Sequence, residues 1–203
     1  MIGIMADSHG DPETILTALD VFQSLDCRRI YHLGDVCDST RPETVEACLG
    51  PLRKHRVITI KGNNDHTIVA NHVGRKDAPI APEILKYIQH LPLVQNYQDA
   101  IFTHSLPFAD ELGLSCMIGS ISEPEAVRTF NAFPRHVIFR GHSHKPEILL
   151  PRGRFIESSI PAAGRKISLT GKRPCVVTCG ALTHGLFMIW NPEEKYIKSL
   201  SYK

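Results

Sequence analysis

Asp7, His9, Asp35, Asn63, His104, His142 and His144 each fall within a few residues after a short apolar run. All are hard or borderline metal ligands. Imidazole suits Zn, Fe, Ni and Cu, whereas carboxylate and amide oxygens suit Mn and Mg, so the mixed set fits first-row divalent ions without choosing among them. Two such cations roughly 3.5 to 4 Å apart, bridged by a carboxylate and a water, can clamp a phosphate and generate a hydroxide nucleophile near neutral pH. No single position carries this reading. With eleven histidines in 203 residues, a lone His after a strand is an ordinary surface residue, and GHSH (141–144) alone reads equally as two loop histidines. The recurrence of ligand types at five strand ends is what singles them out.

The runs that would position them are IGIMA (2–6), RIYHL (29–33), VITI (57–60), AIFT (100–103) and VIFR (137–140). They are short, apolar and rich in β-branched or aromatic residues, as suits strands buried on both faces. Helical patterns lie between them. Asp11 can cap a helix whose first position is Pro12, with Ile15, Leu19 and Phe22 recurring at i, i+4 and i+7. A second helix is expected from Pro42 to Leu49, and a third opens at Pro82 with Ile84, Leu85, Ile88 and Leu91 on one side. Ser122 and Glu125 have capping-box spacing before Ala126, Val127 and Phe130. After Pro146, ILL, RFIESSI, KISL, CVVTC, GLFMIW and YIKSLSY read as closely spaced strands. Alternating units followed by a run of strands predict an α/β fold, a four-layer α/β/β/α sandwich of two mixed sheets in one domain over 1–203. Ligands of open α/β sheets gather at the carboxyl ends of the strands, which would bring the five segments to one crevice.

A net charge of +2, with short basic runs at Arg53 to Arg56 and Arg165 to Arg173, does not indicate a nucleic-acid surface. Six cysteines without CxxC spacing read as reduced thiols. No run reaches the ~18 apolar residues of a membrane span, and MIGIMADSHGD has no signal-peptide pattern, so a cytoplasmic location is expected. The oligomeric state is left open.

In order, DSH (7–9), GDVCD (34–38), GNND (62–65), TH (103–104) and GHSH (141–144) resemble the signature of the calcineurin-like metallophosphoesterases, whose blocks are DxH, GDxxD, GNHD or GNHE, a later H, and GHxH. The resemblance implies that Asp7, His9 and His144 bind one metal, that Asn63, His104 and His142 bind the other, and that Asp35 bridges both. Because an HxH just past a strand can turn its rings toward neighbouring ions, His142 and His144 are expected on different metals. Asp38 would orient a ligand such as His9 by accepting its free ring proton. Manganese is the favoured ion, with Fe, Ni, Zn or Mg as alternatives.

The chain departs from the family at Asn64, where relatives carry a histidine assigned to protonating the leaving oxygen or holding the phosphate. Asn64, Asp38 and Asp65 are the candidate catalytic residues outside the ligand set, with Asn64 expected to steady a phosphate oxygen. His66 is either a substitute acid or a surface residue. A small bacterial and archaeal phosphodiesterase branch also lacks that histidine. A diester with a good leaving group depends less on an acid, which favours a phosphodiesterase acting on a small phosphate ester or nucleotide. The alternatives are a phosphomonoesterase or nucleotide pyrophosphatase with the same ions, or a metal-poor interaction scaffold. Residues 105–123 form an insertion after His104, read either as a lid or substrate wall or as a packed surface loop with Leu112, Leu114 and Met117 turned inward. Cys179 is given no role.

Overall fold

The computed structural model describes residues 1–108 and 119–202. In chain order its strands and helices are β1 (Ile2–Met5), α1 (Pro12–Ser24), β2 (Arg29–His32), α2 (Val45–Lys54), β3 (Ile58–Thr59), α3 (Asn63–His72), α4 (Pro82–Gln89), β4 (Val94–Tyr97), β5 (Ala100–Thr103), α5 (Glu123–Ala132) and β6 (Val137–Arg140). Then follow β7 (Glu147–Arg152), β8 (Phe155–Ser159), β9 (Lys166–Ser168), β10 (Cys175–Thr178), β11 (Leu186–Asn191) and β12 (Tyr196–Ser201).

Local chemistry sets several boundaries. The Asp11 carboxylate accepts the N–H groups of Glu13 and Thr14, two donors at the start of α1 that lack intrahelical partners. At α5 the Ser122 N–H donates to Glu125 Oε2 at 2.9 Å, the reciprocal half of a capping box. The second helix runs further than its sequence suggests. A 3₁₀ turn over Pro42–Thr44 leads into α2, which continues through Gly50 and Pro51 to Lys54. Leu52 is fully buried beside Cys48 and Leu49, so packing overrides the two helix breakers.

The strands form two six-stranded mixed sheets, ordered β3-β2-β1-β11-β12-β9 and β4-β5-β6-β10-β7-β8. β1, β2 and β3 run parallel in the first, and β5, β6 and β10 run parallel in the second. Ile2 and Ile4 on β1 point between the sheets, as do Met188 and Trp190 on β11, while Met5, Phe187 and Ile189 point to the helical side. This is the period-2 alternation of a pleated strand. Across the central layer Tyr31 stacks on Phe102 with ring centroids 3.8 Å apart. Helices α1, α2 and α4 cover the outer face of the first sheet through Phe22, Leu49 and Ile88, and α5 covers the second through Ala126 and Phe130. The result is the four-layer α/β/β/α sandwich with both sheets mixed.

Candidate metal centre

The loops after β1 and β2 continue the pairing of those strands. The Asp7 N–H donates to the Gly34 carbonyl at 3.1 Å, and the His9 N–H to the Asp35 carbonyl at 3.0 Å. Five of the seven candidate ligands have left-handed backbone: Asp7, His9, Asp35, His142 and His144 have φ of 56°, 44°, 52°, 72° and 61°. A non-glycine residue there costs on the order of 1–3 kcal/mol, and such strain persists where surrounding structure over-determines it. Two glycines permit the close approach. A Cβ on Gly62 would lie 2.2 Å from the Asp35 nitrogen, and one on Gly141 would lie 2.8 Å from Asp7 Oδ2.

The donors fall into two groups, Asp7 with His9 and His144, and Asp35 with His104 and His142, each with one atom per residue lying within 4.8 Å of the others. His142 and His144 are thus divided between the groups. Asp35 Oδ2 stands between them, 3.8 Å from His9 Nε2 and 3.5 Å from His104 Nε2. His9 Nε2 faces His144 Nε2 at 2.9 Å, and His144 Nε2 is 3.6 Å from Asp7 Oδ1. Asn63 Oδ1 lies 3.0 Å from His104 Nε2.

These contacts fit cations. His104 Nδ1 is 2.7 Å from the Leu33 carbonyl, which can only accept, so Nδ1 carries a hydrogen. In the neutral ring, Nε2 then directs a lone pair at two oxygen acceptors, and only a proton or a metal ion between them makes that favourable. In the metal-free protein the proton takes this place: burial disfavours the imidazolium, but Asp35, Asp7 and the Leu33 carbonyl together raise the His104 pKa to about 9. Burial is also the main cause that raises Asp7 to about 7, and with the neighbouring His9 and His184 it lowers His144 to about 4. Asp35 goes the other way. Against its burial, His104 and two hydrogen bonds from Asn64 hold it well below the usual carboxylate range.

The residues around the candidate ligands are placed differently from expectation at two positions. Asp38 does not accept from the His9 ring. Its carboxylate takes the N–H and hydroxyl of Thr40 and the Arg41 Nε, donors supplied by its own tight turn, and Arg41 in turn donates to the His9 carbonyl. Asn64 donates its backbone N–H and its Nδ2 to the two Asp35 oxygens, both at 2.8 Å, while its Oδ1 accepts from the Ser39 hydroxyl. It therefore holds Asp35 rather than presenting its amide to a phosphate. Asp65 is wholly buried and accepts from the Gly62 and Cys37 N–H groups, fixing the entry of α3 and the turn after β2. His66 is exposed on α3.

Other residues near the candidate ligands are not marked by the motifs. His32, wholly buried at the end of β2, lies 3.1 Å from the hydroxyl of Ser8, the residue between the candidate ligands Asp7 and His9. Arg140, also wholly buried, donates to the Ser105 and Gly119 carbonyls, tying together the two described ends of the segment after His104. Residues 109–118, with Leu112, Leu114 and Met117, lie outside the described residues. Cys179 is buried in the core between the sheets, where burial holds its thiol well above its ordinary pKa, as for an inert structural cysteine. His184 packs edge-on against His144, with ring centroids 5.5 Å apart.

A family model described as the calcineurin-like phosphoesterase superfamily domain matches residues 1–154. The chain belongs to this superfamily. It is accordingly a metal-dependent phosphoesterase, and Asp7, His9, Asp35, His104, His142 and His144 are its candidate metal-holding groups. No curated protein matches the sequence. Among solved structures, a metallophosphoesterase from Sphaerobacter thermophilus is 20% identical with a TM-score of 0.76, covering 100% of this chain and 88% of that one. A protein of Pyrococcus horikoshii OT3 is 13% identical with a TM-score of 0.66, covering 99% and 88%. A novel archaeal phosphodiesterase is 15% identical with a TM-score of 0.51, covering 98% of each chain. At these identities the likeness is one of fold. Among the described residues no helix is long and apolar enough to cross a membrane.

Proposed function

We propose that the chain is a cytoplasmic phosphodiesterase whose site holds two divalent cations, manganese foremost, in the groups that share Asp35. The observation that carries the two-cation reading is the position of Asp35 Oδ2, between His9 of one group and His104 of the other. When bound, the cations supply Lewis acidity toward the phosphoryl oxygens and acidify the attacking water. The protein's own part is positional. Asn64 holds both Asp35 oxygens, the Leu33 carbonyl fixes the His104 tautomer, and Asp65 braces the loops that present Asp35 and Asn63. Asn63 Oδ1 completes the second group as an uncharged oxygen ligand.

The diester preference rests on Asn64. An amide engaged with Asp35 and Ser39 delivers no proton to a leaving oxygen. A diester with an acidic leaving group tolerates that lack better than a monoester. The archaeal phosphodiesterase that shares the fold is consistent with this substrate class.

Rates on paired aryl substrates test the proposal. With manganese, the bis-aryl phosphate is expected to be turned over faster than the aryl monoester by about 10² or more, the lower end of what general-acid help supplies. Asn64→His is expected to raise monoester turnover relative to diester turnover. A wild-type protein that prefers the monoester would overturn the diester assignment in favour of a monoesterase or pyrophosphatase. An unchanged ratio in the variant would remove Asn64 as its cause.

A further inference from the structure

We propose that His184 is a substrate-contacting residue of this site, donating an imidazole N–H to an oxygen of the bound phosphoryl group. The inference rests on the phosphoesterase reading and adds a contact outside the candidate ligand set.

His184 ends the 3₁₀ turn Leu182–His184 between β10 and β11. That turn is seated directly on the loop that carries the first ligands. The Leu182 N–H donates to the Ala6 carbonyl at 2.9 Å and the Thr183 N–H to the Asp7 carbonyl at 3.4 Å. From the chain's other end, the Tyr202 hydroxyl donates to the Leu182 carbonyl at 2.6 Å and the Tyr202 N–H to the Gly185 carbonyl at 3.2 Å. Gly185, at φ 76°, turns the chain into β11 and donates back to the Leu182 carbonyl at 2.8 Å. Elements from both ends of the chain therefore fix the turn relative to Asp7, which is the preorganisation a substrate contact needs.

The ring is placed at the mouth of the site. It stands against His144 with an interplanar angle of 79°, and it is exposed where His144 is partly buried. Its nitrogens have no hydrogen-bond partner among the described residues, and it belongs to neither ligand group. Three other side-chain donors of the motif segments and β2, Asn64, His32 and His66, are committed or remote. Asn64 is engaged with Asp35 and Ser39, His32 is buried against Ser8, and His66 makes no contact with the ligands among the described residues. A neutral imidazole always carries one N–H, so the contact requires no change in protonation. Hydrogen bonds to an anion are the stronger kind.

Calorimetric titration of the manganese-loaded protein with inorganic phosphate tests the contact independently of catalysis. His184→Ala is expected to weaken phosphate binding about tenfold or more, as for one hydrogen bond to a charged group, and to lower kcat/KM on a bis-aryl phosphate at least as much. His184→Gln, which keeps an N–H donor, should recover part of both losses. Bound manganese should equal that of wild type in both variants. Unchanged phosphate affinity in His184→Ala would overturn the proposal, and so would loss of manganese, which would make His184 part of the metal centre instead. Should the wild type bind phosphate yet hydrolyse no ester, the phosphoesterase reading fails while the weaker phosphate binding of His184→Ala still supports the contact. Wild-type protein that binds no phosphate overturns the contact as well.

Discussion

Asp35→Asn is expected to lower turnover of a bis-aryl phosphate by about 10³ or more, a loss on the order of 4 kcal/mol of transition-state stabilisation, and to cut the metal retained on purification. The side chain is 2% exposed and each of its oxygens accepts a hydrogen bond from Asn64. The same carboxylate faces His9 and His104 from the two donor groups. The near-isosteric amide keeps the volume but loses the negative charge that two adjacent cations require. It also brings an N–H₂ group toward either the Asn64 donors or the histidine nitrogens. Because loop geometry is otherwise preserved, circular dichroism should remain near that of wild type. An Asp35→Asn protein with wild-type turnover and a full metal complement would contradict the bridging role.

Removing metal is expected to lower the melting temperature by about 5–10 °C for each site that was loaded at a hundredfold excess over its dissociation constant, since such binding adds about 2.7 kcal/mol per site to the native state. The difference should depend on pH with a definite sign. Burial raises Asp7 to about 7, and His104 is raised to about 9. Both folded-state values lie above the unfolded ones. Each group therefore stabilises the metal-free protein fully only below its unfolded pKa, and that contribution is lost as pH rises through the folded value, roughly across pH 4 to 7 for Asp7 and pH 6.5 to 9 for His104. Asp35, held low, acts oppositely and costs stability only as pH falls below about 4. Cations favour the ionised carboxylate and the neutral imidazole, so the loaded protein should lack this alkaline loss. The gap between the two melting curves should widen from about pH 5 to about pH 9. A gap that stays constant or narrows would show that Asp7 and His104 do not exchange protons for metal.

The five candidate ligand blocks are legible in the sequence because each follows a short apolar run, and order along the chain is enough to place strand ends together in an α/β sheet. The start of α1 is equally plain, since Asp11 and Pro12 act locally. β4 is not, because Val94–Tyr97 is an edge strand whose Gln95 and Asn96 interrupt any apolar pattern, and only pairing with β5 makes it a strand. The helix α3 begins within GNND itself, and its few buried residues leave little amphipathic signal. The partners of Asp38 and Asn64 depend on which donor lies nearest once the turns have closed, which spacing does not fix. The sequence gives least warning of His184. Its place beside His144 arises only because the turn after β10 folds back onto Ala6 and Asp7, far away in the chain.

The most direct test of the central claim, that one buried carboxylate joins two adjacent cation sites, is to strip the protein with chelator and return Mn²⁺ stepwise. Bound metal and hydrolysis of a bis-aryl phosphate are followed in the same samples. The predicted result is uptake of two equivalents per chain, with no hydrolysis in the stripped protein and hydrolysis restored as both sites fill. Uptake of fewer than one equivalent, or hydrolysis that survives removal of the metal, would contradict it.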